Sequence, residues 1–522
     1  MIKEPVHEGP AFLIHYVKDE TKRDLLLVLG DTRLGHLTAT ANAVREISNR
    51  HTGWKAGTAS IQDAAFPRYE APDLDPGYFC FNIRHFYSTG SNGETRVHRD
   101  LLDRIIKRLL SDTPGTDFIQ KSGIARGSRY FNRPGTRQQL LKEVDENRWL
   151  LLEAIRRFGK TSFMVNLEDQ PPENTVVVYA SLESGASRDY FARAMLAHAL
   201  SSAGMRTHVS AKLLEGIEET WSTHEIFEKL MASRQEPLEA LTRFWSDLSK
   251  SKDRILFLLD EVVVYLNNAF NSMPHKNRRE IEKWSNWVRD MFAALNGAPE
   301  GVRFVLAGSM HLPVFLEARE IHLDLIYSMK SLSLSPVPQD EAETFLRLCL
   351  LQERVLAKEP EIRWIMDRFG GWIPSFLLYF VDLIGMKCRD QRDQETLSLQ
   401  DIRSAYNSLF ESRHRHLFSD LDEQPGRYDE LFERSWSFTP RLRSMLVAAA
   451  SGGVSFSELE SSFHQAKDYD PGMPQGKKAI FFKRAVKIAV HDFSLLAGSE
   501  CCKIACPLLS DWILSRKSEW GF

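Results

Sequence analysis

The chain alternates short apolar runs with longer stretches in which apolar residues recur at helical spacing. Residues 24–30 and 78–86 read as buried strands and 38–50 and 98–110 as helices, so the first stretch is mixed α/β. Gly, Ser and Arg crowd 121–129, which reads as a linker. Beyond it, strand-like runs at 148–153, 175–179, 255–259 and 302–307 are separated by helical stretches, among them 188–202. That alternation predicts a parallel sheet covered by helices on both faces, with ligands at the carboxyl ends of its strands. From about 338 the pattern turns helical, through 340–351, 362–369 and 375–385, and a charged stretch at 411–433 leads to a last module. There 440–450, 455–464 and 477–490 read as three helices, with two short strands expected between 493 and 507.

Composition narrows the class without changing this picture. At 522 residues the chain has room for three or four domains, at roughly 100–200 residues each. A hydrophobic share of 43% and a charged share of 26% suit a globular chain and exclude collagenous, wholly disordered and disulfide-scaffold readings. The net charge of −3 leaves no global basic excess, so any nucleic-acid surface must be local. The start, Met1-Ile-Lys-Glu-Pro, has no apolar core of signal-peptide length, and the richest apolar run, 255–266, is broken by Asp260 and Glu261. Six cysteines suit a reducing compartment, and a cytoplasmic chain without a membrane span is expected. Cys501, Cys502 and Cys506 cluster, yet no CxxC pair or nearby HxxxH supplies further zinc ligands, so buried strand cysteines are the expectation.

Candidate chemistry concentrates after the first of the parallel strands. The segment Ala154-Ile-Arg-Arg-Phe-Gly159-Lys160-Thr161-Ser162 places AxxxxGKT between a buried strand and a helix. Successive N–H groups and the helix N-terminus can wrap phosphates there, the Lys160 ammonium can reach the β/γ-phosphates, and the Thr161 hydroxyl can ligate Mg²⁺. Ala154, Arg156, Arg157, Gly159, Lys160, Thr161 and Ser162 are the candidate nucleotide-binding residues, with Ala154 standing where the pattern usually has glycine. A second apolar run, Arg254-Ile-Leu-Phe-Leu-Leu-Asp260-Glu261, ends in two acids. Burying it in a sheet delivers both carboxylates to its carboxyl end, Asp260 for the Mg²⁺ shell and Glu261 to polarise the attacking water. A core strand followed by an acid-rich first helical turn is the plainer alternative.

The pairing of AxRRxGKTS with the LLDE strand, followed by VLAGSM, resembles the archaeal-type ATPases of the STAND branch of AAA+ proteins. Phe131-Asn-Arg-Pro134 is similar to that family's entry segment, which leads into a helix before the nucleotide strand. Residues 303–309 resemble its sensor strand, whose terminal polar residue, here Ser309, faces the γ-phosphate and joins Lys160 and Glu261 in catalysis. Ser331-Leu-Ser-Leu-Ser-Pro-Val-Pro338 resembles the opening of its helical lid. Gly370-Gly-Trp-Ile-Pro374 resembles the lid's Gly-x-Pro turn with one extra residue, and makes Pro374 the candidate adenine contact. The order of elements in the tail, closing on Leu508-Leu-Ser-Asp-Trp512, resembles the family's C-terminal winged helix.

The resemblance therefore implies a P-loop NTPase parallel sheet with a helical lid, a C-terminal winged helix and an additional N-terminal α/β domain. The corresponding segments are 1–120 for an unassigned sensor or effector, 121–337 for the ATPase core, 338–435 for the lid and linker, and 436–522 for the winged helix. It implies an ATP- and Mg²⁺-dependent ATPase that acts as a signalling or regulatory switch, with bacterial antiviral defence or stress response as an analogy. Homo-oligomerisation on activation and a protein partner or trigger belong to the same expectation. Lys477, Lys478, Lys483, Arg484 and Lys487 on the third tail helix suit duplex phosphates, so an ATP-controlled DNA-binding regulator or loader is one alternative. A domain interface is the other use of that helix. An N-terminal enzyme gated by the ATPase is a further alternative, although Gly30-Asp31-Thr-Arg33-Leu-Gly-His36 fits no hydrolase or nuclease spacing. Arg319 stands where an arginine finger or a surface ion pair would serve, and Trp284 and Trp287 read as core.

Overall fold

The computed structural model describes 2–5, 11–18, 21–30, 58–62, 78–82, 87–89, 95–97, 101, 119, 123–126, 130–131 and, from 133 onward, all residues but 155–156, 234, 252, 274–276, 325–328, 335–338, 354, 356, 370–372, 391–396, 412–413, 415–416, 430–437, 466–473, 494 and 498–500. The chain forms two compact units, Met1–Phe131 with Val337–Arg415, and Asn132–Pro336 with His416–Phe522.

The first unit contains a five-stranded sheet in the order β1 (Ile2–Pro5), β2 (Ala11–Lys18), β3 (Thr21–Gly30), β4 (Thr58–Gln62), β5 (Tyr78–Asn82). β1, β2 and β3 pair antiparallel, whereas β3, β4 and β5 pair parallel. A parallel pair needs a crossover between its strands, which is what a mixed α/β reading anticipates. β6 (Tyr87–Thr89) and β7 (Thr95–Val97) form a separate antiparallel pair. The expected helices at 38–50 and 98–110, and the loop at 31–36, lie outside the described residues, except for helical Leu101. Helices among the described residues of this unit include Gln339–Gln352, Glu359–Arg368, Pro374–Asp390 and Leu399–Ser408. Phe369 packs its ring against Phe380 at 4.8 Å and against Tyr406 at 5.8 Å.

The second unit is built on a parallel sheet in the order β12 (Lys330–Ser333), β8 (Trp149–Glu153), β11 (Val302–Ala307), β10 (Arg254–Asp260), β9 (Thr175–Ser181). All four strand pairs are parallel. This is the α/β fold of P-loop NTPases. In β10, Ile255 to Leu259 are at most 1% exposed, and each such side chain contributes roughly 1.5–3 kcal/mol by burial. Phe257 stacks on Phe304 of β11 at 5.7 Å, and Phe304 on Trp149 of β8 at 4.5 Å, so an aromatic ladder crosses the sheet. The entry helix Pro134–Glu146 begins on a proline, whose missing N–H costs nothing in a first turn.

Residues 335–338 lie outside the described residues, and 331–333, the start of the segment 331–338 that resembles the lid opening, form with Lys330 the edge strand β12, paired with β8. Only Leu332 of its four residues is buried, and so slight an apolar signal is normal at a sheet edge. In the tail, helices Phe438–Ala450, Phe456–His464 and Gln475–Phe493 precede an antiparallel pair, β13 (Leu495–Ala497) with β14 (Cys502–Ile504). Val454 bridges to Cys502, and Trp512, 1% exposed on the final helix Pro507–Arg516, stacks on Phe418 at 5.5 Å. Trp284 is fully buried between Phe270 and Phe315, as the apolar spacing predicts. Among the described residues, no helix is long and apolar enough to cross a membrane.

Candidate functional site

β8, β11 and β10 lie side by side, and the chain leaves their carboxyl ends at Ala154, Gly308 and Glu261. The loop after β8 leads into the helix Lys160–Asp169. Gly159 sits at φ +84°, where the lack of a Cβ removes the usual penalty, and Arg157 at φ +66° without that exemption. The N-cap residue, Gly159, makes no side-chain cap bond, and the N-terminus of such a helix suits an anion. Arg133, from the entry segment, donates to the Phe158 carbonyl at 2.8 Å and lies 4.9 Å over the Phe158 ring, fixing the loop from behind.

The apolar body of β10 carries Asp260 to a position 1% exposed, where an unpartnered carboxylate would be costly. It has partners on every side. Thr161 Oγ1 donates to Asp260 Oδ2 at 2.7 Å, Lys160 Nζ lies 3.7 Å from Oδ1, and the Glu261 N–H donates to Oδ1 at 3.0 Å. Tyr179 of β9 donates its hydroxyl to Oδ2 at 3.4 Å. Burial first, and the Asp260 charge after it, push that phenol well above its ordinary range, so it stays protonated.

Glu261 caps the following helix with φ +56°, a left-handed conformation rare for a residue with a side chain. Its carboxylate turns toward β11, where Ser309 donates both its N–H and its hydroxyl to Oε2 at 2.8 Å each. The other oxygen, Oε1, lies 3.9 Å from Lys160 Nζ. Lys160, Thr161, Asp260, Glu261 and Ser309, far apart in sequence, therefore meet within hydrogen-bond or ion-pair reach. A hydroxyl and a carboxylate oxygen held together are the hard donors that Mg²⁺ selects, and an ammonium above a helix N-terminus suits phosphate. The donor set fits a Mg²⁺-nucleotide.

The remaining candidates are placed differently. Ala154 and Gly159 lie in the loop, Ser162 in the first helical turn and Arg157 on the exposed side, while Arg156 falls outside the described residues. Pro374 opens the helix Pro374–Asp390 of the first unit. On the tail helix, Arg484 Nε lies 3.3 Å and Lys487 Nζ 3.5 Å from the Glu317 carboxylate, which belongs to the helix after β11. Lys477 and Lys483 are exposed and Lys478 half-buried. Arg319 stacks its guanidinium 3.7 Å from the Phe270 ring centroid. Cys502 and Cys506 are buried and Cys501 is exposed, and burial pushes the Cys506 thiol up to about 11.

Sequence reasoning missed Tyr179 and a group behind Ser309. His311 accepts from the Val314 N–H on Nδ1 at 3.2 Å, which leaves Nε2 to face Glu153 Oε1 at 3.2 Å, just before the phosphate loop. Burial lowers the His311 pKa. Burial alone would raise Glu153, but the His311 hydrogen bond and charge outweigh it and its pKa falls. Gln424 and Tyr428 reach the same segment from the helix Ser419–Asp429, and Asp492 of the helix Gln475–Phe493 accepts from Gln424. The sole sequence signal was the four-residue spacing of Gln424 and Tyr428, which puts both on one helix face.

No family model matches the chain, and no curated protein matches it. Among solved structures it is similar to the Walker-type ATPase PABY2304 of Pyrococcus abyssi, at 16% identity and a TM-score of 0.46 over 76% of this chain and 99% of that one. It is also similar to the ORC2 protein of Aeropyrum pernix, solved in ADPNP–ADP complexes, at 12% identity and 0.42 over 74% and 92%. The Cdc6p of Pyrobaculum aerophilum follows at 12% identity and 0.30 over 76% and 96%. With identities of 16% and below and TM-scores under 0.5, the P-loop NTPase fold rests on the strand order and the loop geometry of this chain itself.

Proposed function

We propose that the chain is a Mg²⁺-dependent ATPase of AAA+ type, working as a nucleotide-controlled switch or slow hydrolase. The observation that carries this reading is the convergence on Asp260 of Thr161 at 2.7 Å and Lys160 at 3.7 Å, beneath a helix N-terminus. Bound Mg²⁺-ATP would supply the metal's charge neutralisation and the bond to be cleaved. The first-turn N–H groups and Lys160 would hold the phosphates, and Thr161 and Asp260 the metal. Once Lys160 engages phosphate, Glu261 Oε1 is released to accept a hydrogen bond from water, while Ser309 pins Oε2.

The STAND branch, the division into sensor, core, lid and winged helix, and a signalling role in defence or stress response belong to the same proposal. Their support is the motif set and the tail's order of three helices followed by a strand pair. The pairing of Arg484 and Lys487 with Glu317 favours the interface use of that tail over a DNA-binding one. The test is ATP hydrolysis by the full chain with Mg²⁺, with and without duplex DNA, in the parent and in Glu261→Gln. The variant should bind ATP as the parent does and hydrolyse it ~100-fold more slowly. Equal rates in the two proteins would reduce the LLDE strand to a structural element.

A further inference from the structure

Behind Ser309 lies a buried polar group that the proposed chemistry does not use. Gln424 is 0% exposed, and its Nε2 donates to the Ser309 carbonyl at 2.6 Å and to Asp492 Oδ2 at 3.0 Å. Both partners are acceptors, so the amide nitrogen must face them and the orientation of the side chain is settled by chemistry. Among the described residues, Gln424 Oε1 is buried without a hydrogen-bond partner.

Asp492, 2% exposed, is the hub. One oxygen takes Gln424 and the other takes His491 Nδ1, and the Asp492 charge also acts on the Tyr428 hydroxyl. Burial and then the Asp492 charge hold Tyr428 well above its ordinary range, so the phenol stays protonated. The same hydroxyl accepts the His311 N–H at 3.0 Å. The backbone from Ser309 to His311 is thus gripped at both ends, by Gln424 on a carbonyl and by Tyr428 on an N–H. Just before those grips, Ser309 directs two donors at a single oxygen of Glu261.

Two donors on Oε2 fix the plane of the Glu261 carboxylate and leave Oε1 as the oxygen that meets water. We infer that Gln424 is a positioning residue for hydrolysis, acting through the Ser309 backbone to set the orientation of Glu261. The inference rests on the ATPase reading. Among the described residues Gln424 touches none of Lys160, Thr161 or Asp260, so its loss should leave nucleotide affinity alone and lower turnover.

The test compares Gln424→Met, which keeps the volume and removes the donor, with Ser309→Ala and the double variant. ATP affinity and turnover are measured with Mg²⁺, and hydrogen exchange of the segment 302–316 is measured without nucleotide. Gln424→Met should bind ATP within twofold of the parent, turn over ~10-fold more slowly, and exchange faster at 308–312. The double variant's defect should be smaller than the product of the two single defects, because both act on the orientation of one carboxylate. Parental turnover and exchange in Gln424→Met, or multiplied defects in the double variant, would overturn the positioning role. If Gln424→Met does not fold, Asp492→Asn, which weakens the acceptor and keeps its shape, should show the same split between affinity and turnover, and its absence there overturns the role equally. A parent that neither binds nor hydrolyses ATP would overturn the ATPase reading and this role with it. A parent that hydrolyses normally beside an unaffected Gln424→Met would overturn this role alone.

Discussion

Two regions of the second unit carry clustered charge, and the structure uses them in opposite ways. At the carboxyl ends of β8, β10 and β11, Lys160, Asp260 and Glu261 arrive from separate segments and face one another, with Thr161 and Ser309 satisfying the carboxylates. On the helix Gln475–Phe493, five basic residues lie close in sequence, yet Arg484 and Lys487 turn to Glu317 of the same unit. A run of like charge along one helix says little about a ligand. Opposite charges brought together from distant strands, in a place where burial makes them costly, say much more.

The largest expected effect breaks the first region. Lys160→Ala removes the ammonium that lies between two carboxylates and would bind phosphate. ATP affinity should fall about 100-fold, near 3 kcal/mol for a charge-assisted contact, as read by equilibrium binding. Because Lys160 is only 9% exposed against Asp260 and Glu261, the nucleotide-free protein should also lose stability, on the order of 2 kcal/mol. An unchanged affinity would make the two regions alike, both merely charged.

A smaller effect sharpens the contrast from the other side. Changing Lys483, Arg484 and Lys487 together to Glu should cost about 1 kcal/mol, because Glu317 then faces like charges, and half-exposed pairs contribute no more than this. Denaturant titration measures it, and nucleotide affinity should not change. If the parent instead bound duplex DNA with log affinity falling by about 0.9 per contacted phosphate for each decade of salt, and the triple variant did not, the tail helix would be a nucleic-acid surface after all.

Much of this was legible in the sequence, for identifiable reasons. β8 to β11 are continuous apolar runs because both faces of a parallel sheet are buried, and the GKT and LLDE motifs mark where two of them end. β12 was not legible, since Lys330-Ser-Leu-Ser333 offers one buried apolar side chain at a sheet edge. The grip on the sensor segment was not legible either. Gln424 and Tyr428 sit in a charged stretch with Pro425 between them, and their partners are backbone groups 115 and 117 residues away. Backbone atoms leave no mark on residue identity, so a side chain selected to reach one looks like any other polar residue.

The central claim is that Asp260 and Thr161 together form the protein's share of a metal shell that a nucleotide and water complete. Calorimetric titration of ATP into the full chain, with Mg²⁺ and again with EDTA, tests it most directly when parent and Asp260→Ala are run side by side. The account predicts saturable binding to the parent that Mg²⁺ tightens at least tenfold, and weak binding to Asp260→Ala that Mg²⁺ leaves unchanged. No binding to the parent, or the same Mg²⁺ dependence in both proteins, would contradict it.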